Sequence, residues 1–433
     1  KNKMYKPSDY STYVSFTSDD IHESLQNHIN KFQPDIIFWS ALSSHIHGEG
    51  EYVSIEYGYE LIKRVSSNAI KIAGGLQATA APGEMCKKFP DVDYFISGES
   101  EFVIAEVADR FEQKKNLDNI NGLFANTKEV KYVGRQDIIS DMDKIPAYDY
   151  GIFNDQTFFR PYNGKVVRAA DIELSRGCPY TCSYCVETVI QKYYGFNETG
   201  SNGVLKKASK YLRNKSSSRI FSEISSLYND QGVTYFRCQD TNFLSINQTV
   251  LKELANLIDE SNMPIFLYIE TRPETINERS IELLKKLRVD GVGMGLELAS
   301  ESFRKSSLNR FPSQEKIIRA FKLLRKAEIK RTTYNILGLP NETEEMIHET
   351  IEFNRLLDPD NMTVSFFSPY LGTPEQQKAQ SIGDFSSYEF NMDDQVRTVS
   401  KSNLVVKEKL EFYKRNFVKF VREGIPKNIW KTK

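Results

Sequence analysis

The stretch "DIELSRGCPYTCSYC", from Asp171 to Cys185, decides the fold because it joins a strand directly to a cysteine loop. Cys178, Cys182 and Cys185 stand in a CxxxCxxC spacing and are three of only five cysteines in 433 residues. Thiolates bind soft metals and iron–sulfur clusters. Three cysteines on a cubane cluster leave one iron open to a further ligand. The motif therefore predicts an iron–sulfur cluster with an open iron, held by one short loop.

A structural zinc site is the alternative for these cysteines. Such sites usually combine two CxxC pairs, and the chain has no second pair, so Cys238 would have to supply the fourth ligand. Cys86 and Cys238 are far apart in sequence, and an odd cysteine total argues against a disulfide framework. The pattern suits a reducing cytoplasm, where we expect the protein to act.

Outward from the loop, the sequence predicts six strand–helix units. Their strands are Asp171–Ser175, Val233–Asp240, Pro264–Thr271, Gly291–Leu298, Thr332–Leu339 and Met362–Tyr370. Amphipathic stretches such as "NERSIELLKKLR" separate the strands. Six such units form a partial (β/α)6 barrel whose site lies at the carboxyl ends of the strands. We therefore expect the cysteine loop at that mouth.

The remaining chain divides into three regions. Strands alternating with helices over residues 1–125 predict a Rossmann-like, doubly wound α/β domain, which binds ligands at the carboxyl ends of its strands. Aromatic residues and prolines in residues 126–170 predict a connector packed on the surface. The barrel is expected to cover residues 171–375. Residues 376–433 predict a helical tail, clearest at "KEKLEFYKRNFVKFVR".

Composition limits the class of protein. Hydrophobic residues make up 40% and charged residues 27%, as in soluble globular proteins. The net charge of −1 creates no field that would attract nucleic acid or an anionic membrane. No apolar run approaches the roughly 20 residues that span a bilayer, and the first residues lack the apolar segment of a secretory signal. We expect a small-molecule substrate, no nucleic acid and no membrane span.

The loop "CPYTCSYC" after the first strand of a partial barrel resembles the radical SAM superfamily, over roughly Asp171 to Pro374. The resemblance implies a [4Fe-4S] cluster on the three cysteines, with S-adenosylmethionine (SAM) chelating the open iron through its amino and carboxylate groups. It also implies that one electron, from a cytoplasmic donor, cleaves SAM to a 5′-deoxyadenosyl radical that abstracts hydrogen from an unactivated position. No motif indicates residues that act on the substrate.

The resemblance also implies SAM contacts near the cysteines. Tyr184, between the last two cysteines, resembles the adenine contact, with plain packing as the alternative. Asp240 stands where the family contacts the methionine end, although the usual Gly-Gly-Glu is missing. Arg272, in "IETRPE" after Glu270, would pair with the SAM carboxylate, since a guanidinium fork matches it. A surface ion pair is the alternative for Arg272.

Three more SAM contacts are implied by later strands. Glu297 and Ser300, in and after "GLELAS", resemble the positions that contact the ribose. A carboxylate accepts well from vicinal hydroxyls. Gly338, in "NILGLPNET", resembles the position that supports the adenine through a close backbone approach.

The order of the two domains resembles the cobalamin-dependent branch of the superfamily. In that branch the nucleotide loop of cobalamin lies in a crevice lined by a Ser-x-Leu motif and a Gly-Gly pair. The residues that fit this crevice stand at three successive strand ends: Ser40, Leu42, Gly74, Gly75, Gly98 and Glu99. Cobalamin is therefore the third expected cofactor, beside the cluster and SAM.

The cobalt-ligating motif Asp-x-His-x-x-Gly of a cobalamin domain is absent. "DDIHES" has an Asp-x-His, but no glycine stands three residues after His22. We interpret this absence as a first β/α unit that is missing from this chain or was never in this protein. We interpret His45 and His47 as loop histidines and not as cobalt ligands.

These features favour a cobalamin-dependent radical SAM methyltransferase that acts on an unactivated carbon. One alternative is a radical SAM enzyme of rearrangement or ring formation, with the N-terminal domain as a scaffold. Another is a non-catalytic binding module that retains a cluster. Reductive SAM cleavage would separate the enzymes from the module, and cobalamin retention would separate the two enzymes.

Overall fold

The computed structural model describes residues 13–15, 18–41, 55–126, 134–367, 370–381, 407–427 and 429. At residues 40, 41, 55–57 and 407 only the backbone is described. Leu42, His45 and His47, three of the residues considered above, lie outside the described residues.

The described helices and strands alternate along most of the chain. The α-helices are α1 (Ile21–Phe32), α2 (Ile55–Lys63), α3 (Leu76–Ala80), α4 (Pro82–Lys88), α5 (Glu101–Glu112), α6 (Glu187–Tyr193), α7 (Ala208–Tyr211), α8 (Ser217–Gln231), α9 (Gln248–Ser261), α10 (Glu278–Lys286), α11 (Glu301–Ser306), α12 (Gln314–Lys326), α13 (Glu344–Leu357), α14 (Pro374–Ser381) and α15 (Lys407–Glu423). The strands are β1 (Ile36–Ala41), β2 (Ile70–Gly75), β3 (Tyr94–Ile96), β4 (Leu123–Ala125), β5 (Phe159–Tyr162), β6 (Lys165–Ile172), β7 (Ser175–Arg176), β8 (Arg213–Asn214), β9 (Tyr235–Cys238), β10 (Phe266–Thr271), β11 (Val289–Glu297), β12 (Lys330–Leu337) and β13 (Asn361–Phe366).

The N-terminal sheet has the order β1-β2-β3-β4, with β1 to β3 parallel and β4 antiparallel to β3. Residues of α2, α3 and α4 pack with Phe95 and Phe124 on one face, and α5 packs through Val103 and Val107 on the other. Helices therefore cover both faces of a mainly parallel sheet. The Asp-x-His stretch is a helix cap, because the Asp20 carboxylate accepts from the backbone N–H groups of His22 and Glu23.

The barrel sheet has the order β13-β12-β11-β10-β9-β6-β5. Its six strands from β6 to β13 run parallel in chain order, which is the curled half-barrel that the six repeats predict. The expected connector needs correction at its end, because β5 and β6 form an antiparallel hairpin within residues 159–172. The turn is Asn163-Gly164, and both residues have positive φ, as such hairpin turns require.

Each barrel strand turns alternate residues toward the surrounding helices, and those residues form the main apolar core. Ile269 of β10 and Val292 of β11 pack there against Leu254 of α9. The opposite face of the strands lines the interior of the half-barrel. On β11 that face carries Gly291, Gly293 and Gly295, and the aromatic side chains of neighbouring strands occupy the space near the first two.

The described helix of the tail, α15, packs against the last strand–helix unit of the barrel. Tyr413 and Phe417 of α15 are buried against α13 and β13, in one apolar cluster with Ile351 and Phe366. Burial of this helix face explains why a charged segment such as "KEKLEFYKRNFVKFVR" folds as a helix on the barrel. Within the described part of the chain, no helix combines the length and apolarity needed to cross a membrane.

Candidate active site at the cysteine loop

The cysteine loop lies at the mouth of the half-barrel, between β7 and α6. Gly177 opens it with a φ of +94°, and a Cβ there would stand 2.9 Å from the carbonyl oxygen of Tyr211. Glycine is therefore needed both for the backbone conformation and for the close approach.

Side chains of α6 hold the loop backbone. The Gln191 amide donates to the carbonyl oxygens of Cys178 and Tyr180, at 2.9 Å each. The Glu187 carboxylate accepts from the backbone N–H of Cys178 at 2.9 Å. Because these two residues are four apart on a helix that begins just after Cys185, they face the loop together.

The three thiols of the motif lie near one another. Burial raises the pKa of Cys178, and Glu187 and the thiols of Cys182 and Cys185 raise it further. Among the residues that the structure describes, no three or more His, Cys, Asp or Glu side chains are grouped to hold a single metal ion. Cys238 is fully buried in the apolar core and is not a candidate fourth ligand.

Arg272 contacts the central cysteine. Its Nη1 donates to Cys182 Sγ at 3.1 Å, and the guanidinium lies 3.8 Å from the centre of the Tyr180 ring. Nη2 pairs with Glu274 at 2.6 Å. Arg272 is only 7% exposed, so the surface ion pair considered for it is wrong.

A second arginine joins Tyr184 and Glu297 behind the same cysteine. The Tyr184 hydroxyl donates to Glu297 Oε1 at 2.8 Å, and Arg310 Nη1 lies 3.3 Å from that oxygen and donates to the hydroxyl at 3.1 Å. Arg310 Nη1 is 4.0 Å from Cys182 Sγ. Burial raises the pKa of the Tyr184 phenol, so Tyr184 stays a neutral donor. Two predicted SAM contacts thus meet beside the cysteine loop.

Asp240 is buried below the loop. Its Oδ1 accepts from the Ser175 hydroxyl at 2.5 Å, while its buried Oδ2 has no hydrogen-bond partner. Burial raises the pKa of Asp240 to about 7. An unpartnered buried carboxylate oxygen needs a donor from a ligand or water, and this fits the predicted contact with the amino end of a cofactor.

The other two predicted SAM contacts have local roles as well. Ser300 caps α11 by accepting from the backbone N–H of Phe303. Gly338 adopts a φ of +80°, and its N–H donates to the buried Glu342 carboxylate at 2.5 Å. Ser300 and Gly338 thus lie just after the ends of strands β11 and β12. Their contact with SAM stays a prediction.

The described residues among those predicted for cobalamin have different surroundings, and their contact with cobalamin stays a prediction. A Cβ on Gly74 would meet Ser100 Oγ at 2.8 Å, inside its own domain. A Cβ on Gly98 would meet the Tyr194 hydroxyl at 2.7 Å. The Glu99 carboxylate accepts a hydrogen bond from Arg213.

A crevice does lie between the N-terminal domain and the cysteine loop. It is lined by Leu76, Gln77, Ala80, Ala81, Val186, Tyr370 and Leu371. Gly75, at the end of β2, has a φ of +114° and begins helix α3, which supplies the first three of these residues. Val186 directly follows the third motif cysteine. The carboxyl ends of the strands of the N-terminal sheet and of the half-barrel therefore both face this crevice.

Sequence reasoning missed Arg310, Tyr180 and the pair Glu187 and Gln191. Arg310 follows α11 in an irregular stretch and belongs to no pattern, so only the tertiary structure brings it to Tyr184. Glu187 and Gln191 could have been found, because polar residues four apart at the start of a helix after a cysteine loop face that loop.

Residues 172–353 match the Radical SAM superfamily, which confirms the resemblance carried by the cysteine loop. The matched residues run from the end of strand β6 to helix α13 and so include most of the half-barrel and the cysteine loop.

Two known proteins are similar to this chain over most of its length. The chain is 27% identical, over 88% of its length, to an anaerobic magnesium-protoporphyrin IX monomethyl ester cyclase of Cereibacter sphaeroides, of which it covers 60%. It is 25% identical, over 80% of its length, to an uncharacterized methyltransferase of Pyrococcus horikoshii, of which it covers 69%.

Among solved structures, it matches the radical SAM methyltransferase TsrM of Kitasatospora setae with cobalamin and a [4Fe-4S] cluster bound, at 19% identity and a TM-score of 0.63. That match covers 84% of this chain and 68% of TsrM. The similarity shows that the two proteins share a fold.

Proposed function

We propose that the protein binds a [4Fe-4S] cluster through Cys178, Cys182 and Cys185 and reductively cleaves SAM there. One observation carries the proposal: the three thiols share one anchored loop, and two buried guanidiniums border the central thiol. Cationic donors around a sulfur suit a thiolate ligand far better than a neutral thiol. When bound, the cluster supplies the electron that cleaves SAM.

The side chains of this chain would hold SAM and exclude water. Glu297, which pairs with Arg310, would accept from the ribose hydroxyls, and Tyr184 would orient Glu297 through its hydroxyl. The unpartnered Oδ2 of Asp240 would accept from a donor of the cofactor. These groups are rigidly buried, so they need little reorganisation when SAM binds.

Methyl transfer with cobalamin is the reaction that we favour. The crevice between α3 and the cysteine loop supports it, because a second cofactor there would lie beside the cluster site. The fold shared with TsrM, which was solved with cobalamin and a [4Fe-4S] cluster bound, also supports it. Cobalamin would enter over Ala80 and Ala81, whose small side chains leave space.

Ring formation is the second candidate. It is favoured by the similarity to the Cereibacter sphaeroides cyclase, which extends over 88% of this chain and therefore includes the N-terminal domain. In that reading the N-terminal domain serves as a scaffold or binds cobalamin for a different radical reaction. A small-molecule substrate and a separate electron donor fit both candidates.

Anaerobic reconstitution with iron and sulfide tests the proposal. We expect about four irons per chain, a reduced-cluster electron paramagnetic resonance (EPR) signal, and formation of 5′-deoxyadenosine or S-adenosylhomocysteine from SAM. Protein produced with hydroxocobalamin should retain corrin absorbance after gel filtration. If the protein forms a cluster and cleaves SAM but retains no corrin, ring formation or rearrangement becomes the favoured reaction. Absence of both cluster and SAM cleavage would refute the enzymatic proposal.

A further inference from the structure

We propose that Arg272 raises the reduction potential of the cluster through its contact with Cys182, and that it does not hold the SAM carboxylate. The inference rests on the proposed cluster at the three cysteines. It replaces the expected role of Arg272 by one that the geometry supports, and it makes Arg272 a positioning and tuning residue of the cluster.

The guanidinium of Arg272 is fixed from three directions. Nη1 donates to Cys182 Sγ at 3.1 Å, Nη2 pairs with Glu274 at 2.6 Å, and the Tyr180 ring covers one flat face at 3.8 Å. Both terminal nitrogens therefore already have partners within the protein. An end-on grip on the SAM carboxylate through both terminal nitrogens would compete with these contacts, and only Nε, which is buried without a hydrogen-bond partner, is uncommitted.

The burial of these groups strengthens the effect of the contact. Arg272 is 7% and Cys182 is 8% exposed, so little water screens the charge of the guanidinium from the sulfur. Hydrogen bonds to the sulfurs of an iron–sulfur cluster, together with its net charge and exposure, set its reduction potential. A cationic donor stabilises the added electron, so Arg272 favours the reduced cluster.

Arg310 is a weaker neighbour of the same sulfur. Its Nη1 is 4.0 Å from Cys182 Sγ, whereas Arg272 Nη1 is 3.1 Å from the same sulfur. The Arg310 guanidinium also pairs with Glu297 and donates to the Tyr184 hydroxyl and the carbonyl oxygen of Gly295. The two arginines therefore have separable roles. Arg272 acts on the cluster sulfur, and Arg310 acts on the Tyr184–Glu297 pair.

The test is an EPR-monitored redox titration of reconstituted protein. Arg272→Met should leave about tenfold less reduced cluster at a fixed potential, which equals about 59 mV toward negative potential for a one-electron couple. Arg272→Lys keeps the charge but loses the planar fork, so its shift should be smaller. Glu274→Gln removes a nearby negative charge and should shift the potential in the positive direction. Arg319→Gln, an exposed arginine of α12 that pairs with Glu278, is the control and should not shift it.

Iron and sulfide contents and circular dichroism of each variant establish that the cluster and fold persist. If Arg272→Met cannot hold a cluster, Arg272→Lys and Glu274→Gln still give shifts of opposite sign. Unchanged potentials in those variants would overturn the inference. So would an unchanged potential in Arg272→Met combined with weaker binding of SAM to the oxidised cluster, because that pair of results assigns Arg272 to the SAM carboxylate. Failure of the wild-type protein to form any cluster would refute the proposed function instead.

Discussion

Glu99 and Arg213 form a two-pronged ion pair across the boundary between the domains: Arg213 Nη1 donates to both carboxylate oxygens of Glu99, at 2.7 and 2.9 Å. Arg176, which precedes the cysteine loop, lies 3.2 Å from the same carboxylate and also pairs with Glu101. The N-terminal sheet is thus tied directly to the strand that leads into the cysteines. The position of the crevice relative to the loop depends on this joint.

Glu99→Gln should destabilise the protein by about 3–5 kcal/mol, because it leaves a buried guanidinium without its partner. The side chains of Glu99 and Arg213 are only 13% and 6% exposed. Urea titration of the free energy of unfolding measures the effect. Glu84→Gln breaks the exposed Lys87–Glu84 pair and is the control, with an expected change below about 1 kcal/mol. Equal losses in both variants would contradict a structural role of the joint.

Replacing Cys178, Cys182 or Cys185 with Ala should abolish the cluster and formation of 5′-deoxyadenosine. Cys86 and Cys238 are buried in apolar cores, so their Ala variants should retain the cluster. Iron content and the EPR signal after reconstitution provide the measurement. Loss of the cluster from Cys238→Ala, in a variant that still folds, would show that a fourth protein ligand exists.

Glu297→Ala should weaken SAM binding roughly tenfold or more, because it removes a charge-assisted hydrogen bond worth about 1.5–3 kcal/mol. Tyr184→Phe removes only the hydroxyl that donates to Glu297 and should have a smaller effect. Equilibrium dialysis with SAM and the oxidised cluster gives the dissociation constants. If a folded Glu297→Ala variant binds SAM as tightly as the wild type, Glu297 has a purely structural role.

Ala80→Phe should reduce the cobalamin that copurifies with the protein, because a large ring would occupy the crevice that Ala80 lines. The cluster should form normally, since the substitution lies on the N-terminal domain. Corrin absorbance per chain and iron content are the two readouts. Ala105→Phe, at an exposed position of α5, is the matched control and should retain cobalamin. If both variants retain equal amounts of cobalamin, the crevice is not part of the cobalamin site.

The pH dependence of stability should contain a contribution from Glu342. Burial raises its pKa to about 8, although the backbone N–H groups of Gly338 and Leu339 donate to it. The folded state therefore keeps a proton that the unfolded state releases above about pH 4.5. Stability from this group is complete below that pH and is lost as the pH rises through about 8, by up to about 1.4 kcal/mol per pH unit.

Glu342→Gln should flatten this slope in urea titrations between pH 5 and 8, because the amide stays neutral and its oxygen still accepts from Gly338. Glu345→Gln, at an exposed position of the following helix, should leave the slope unchanged. An identical slope in the wild type and Glu342→Gln would show that Glu342 does not carry the proton.

Several features of this protein follow from local sequence. The CxxxCxxC loop, the cap at Asp20 and the six barrel strands each depend on neighbouring residues: on spacing, on a side chain that bonds its own backbone, or on a run of apolar residues. The hairpin at residues 159–172 was also encoded locally, by Asn163-Gly164, although the connector prediction passed over it. Strand β2 ends at Gly75, where positive φ turns the chain into α3.

Sequence by itself thus determined the class of enzyme, the half-barrel and the three cysteines, because each has a short-range pattern. Only the tertiary structure decided the roles of Arg272, Arg310 and Glu99. Their partners Cys182, Tyr184 and Arg213 are 90, 126 and 114 residues away in the chain. Buried charges are retained only where folding supplies an opposite charge or a donor, and no local pattern records which distant residue will supply it.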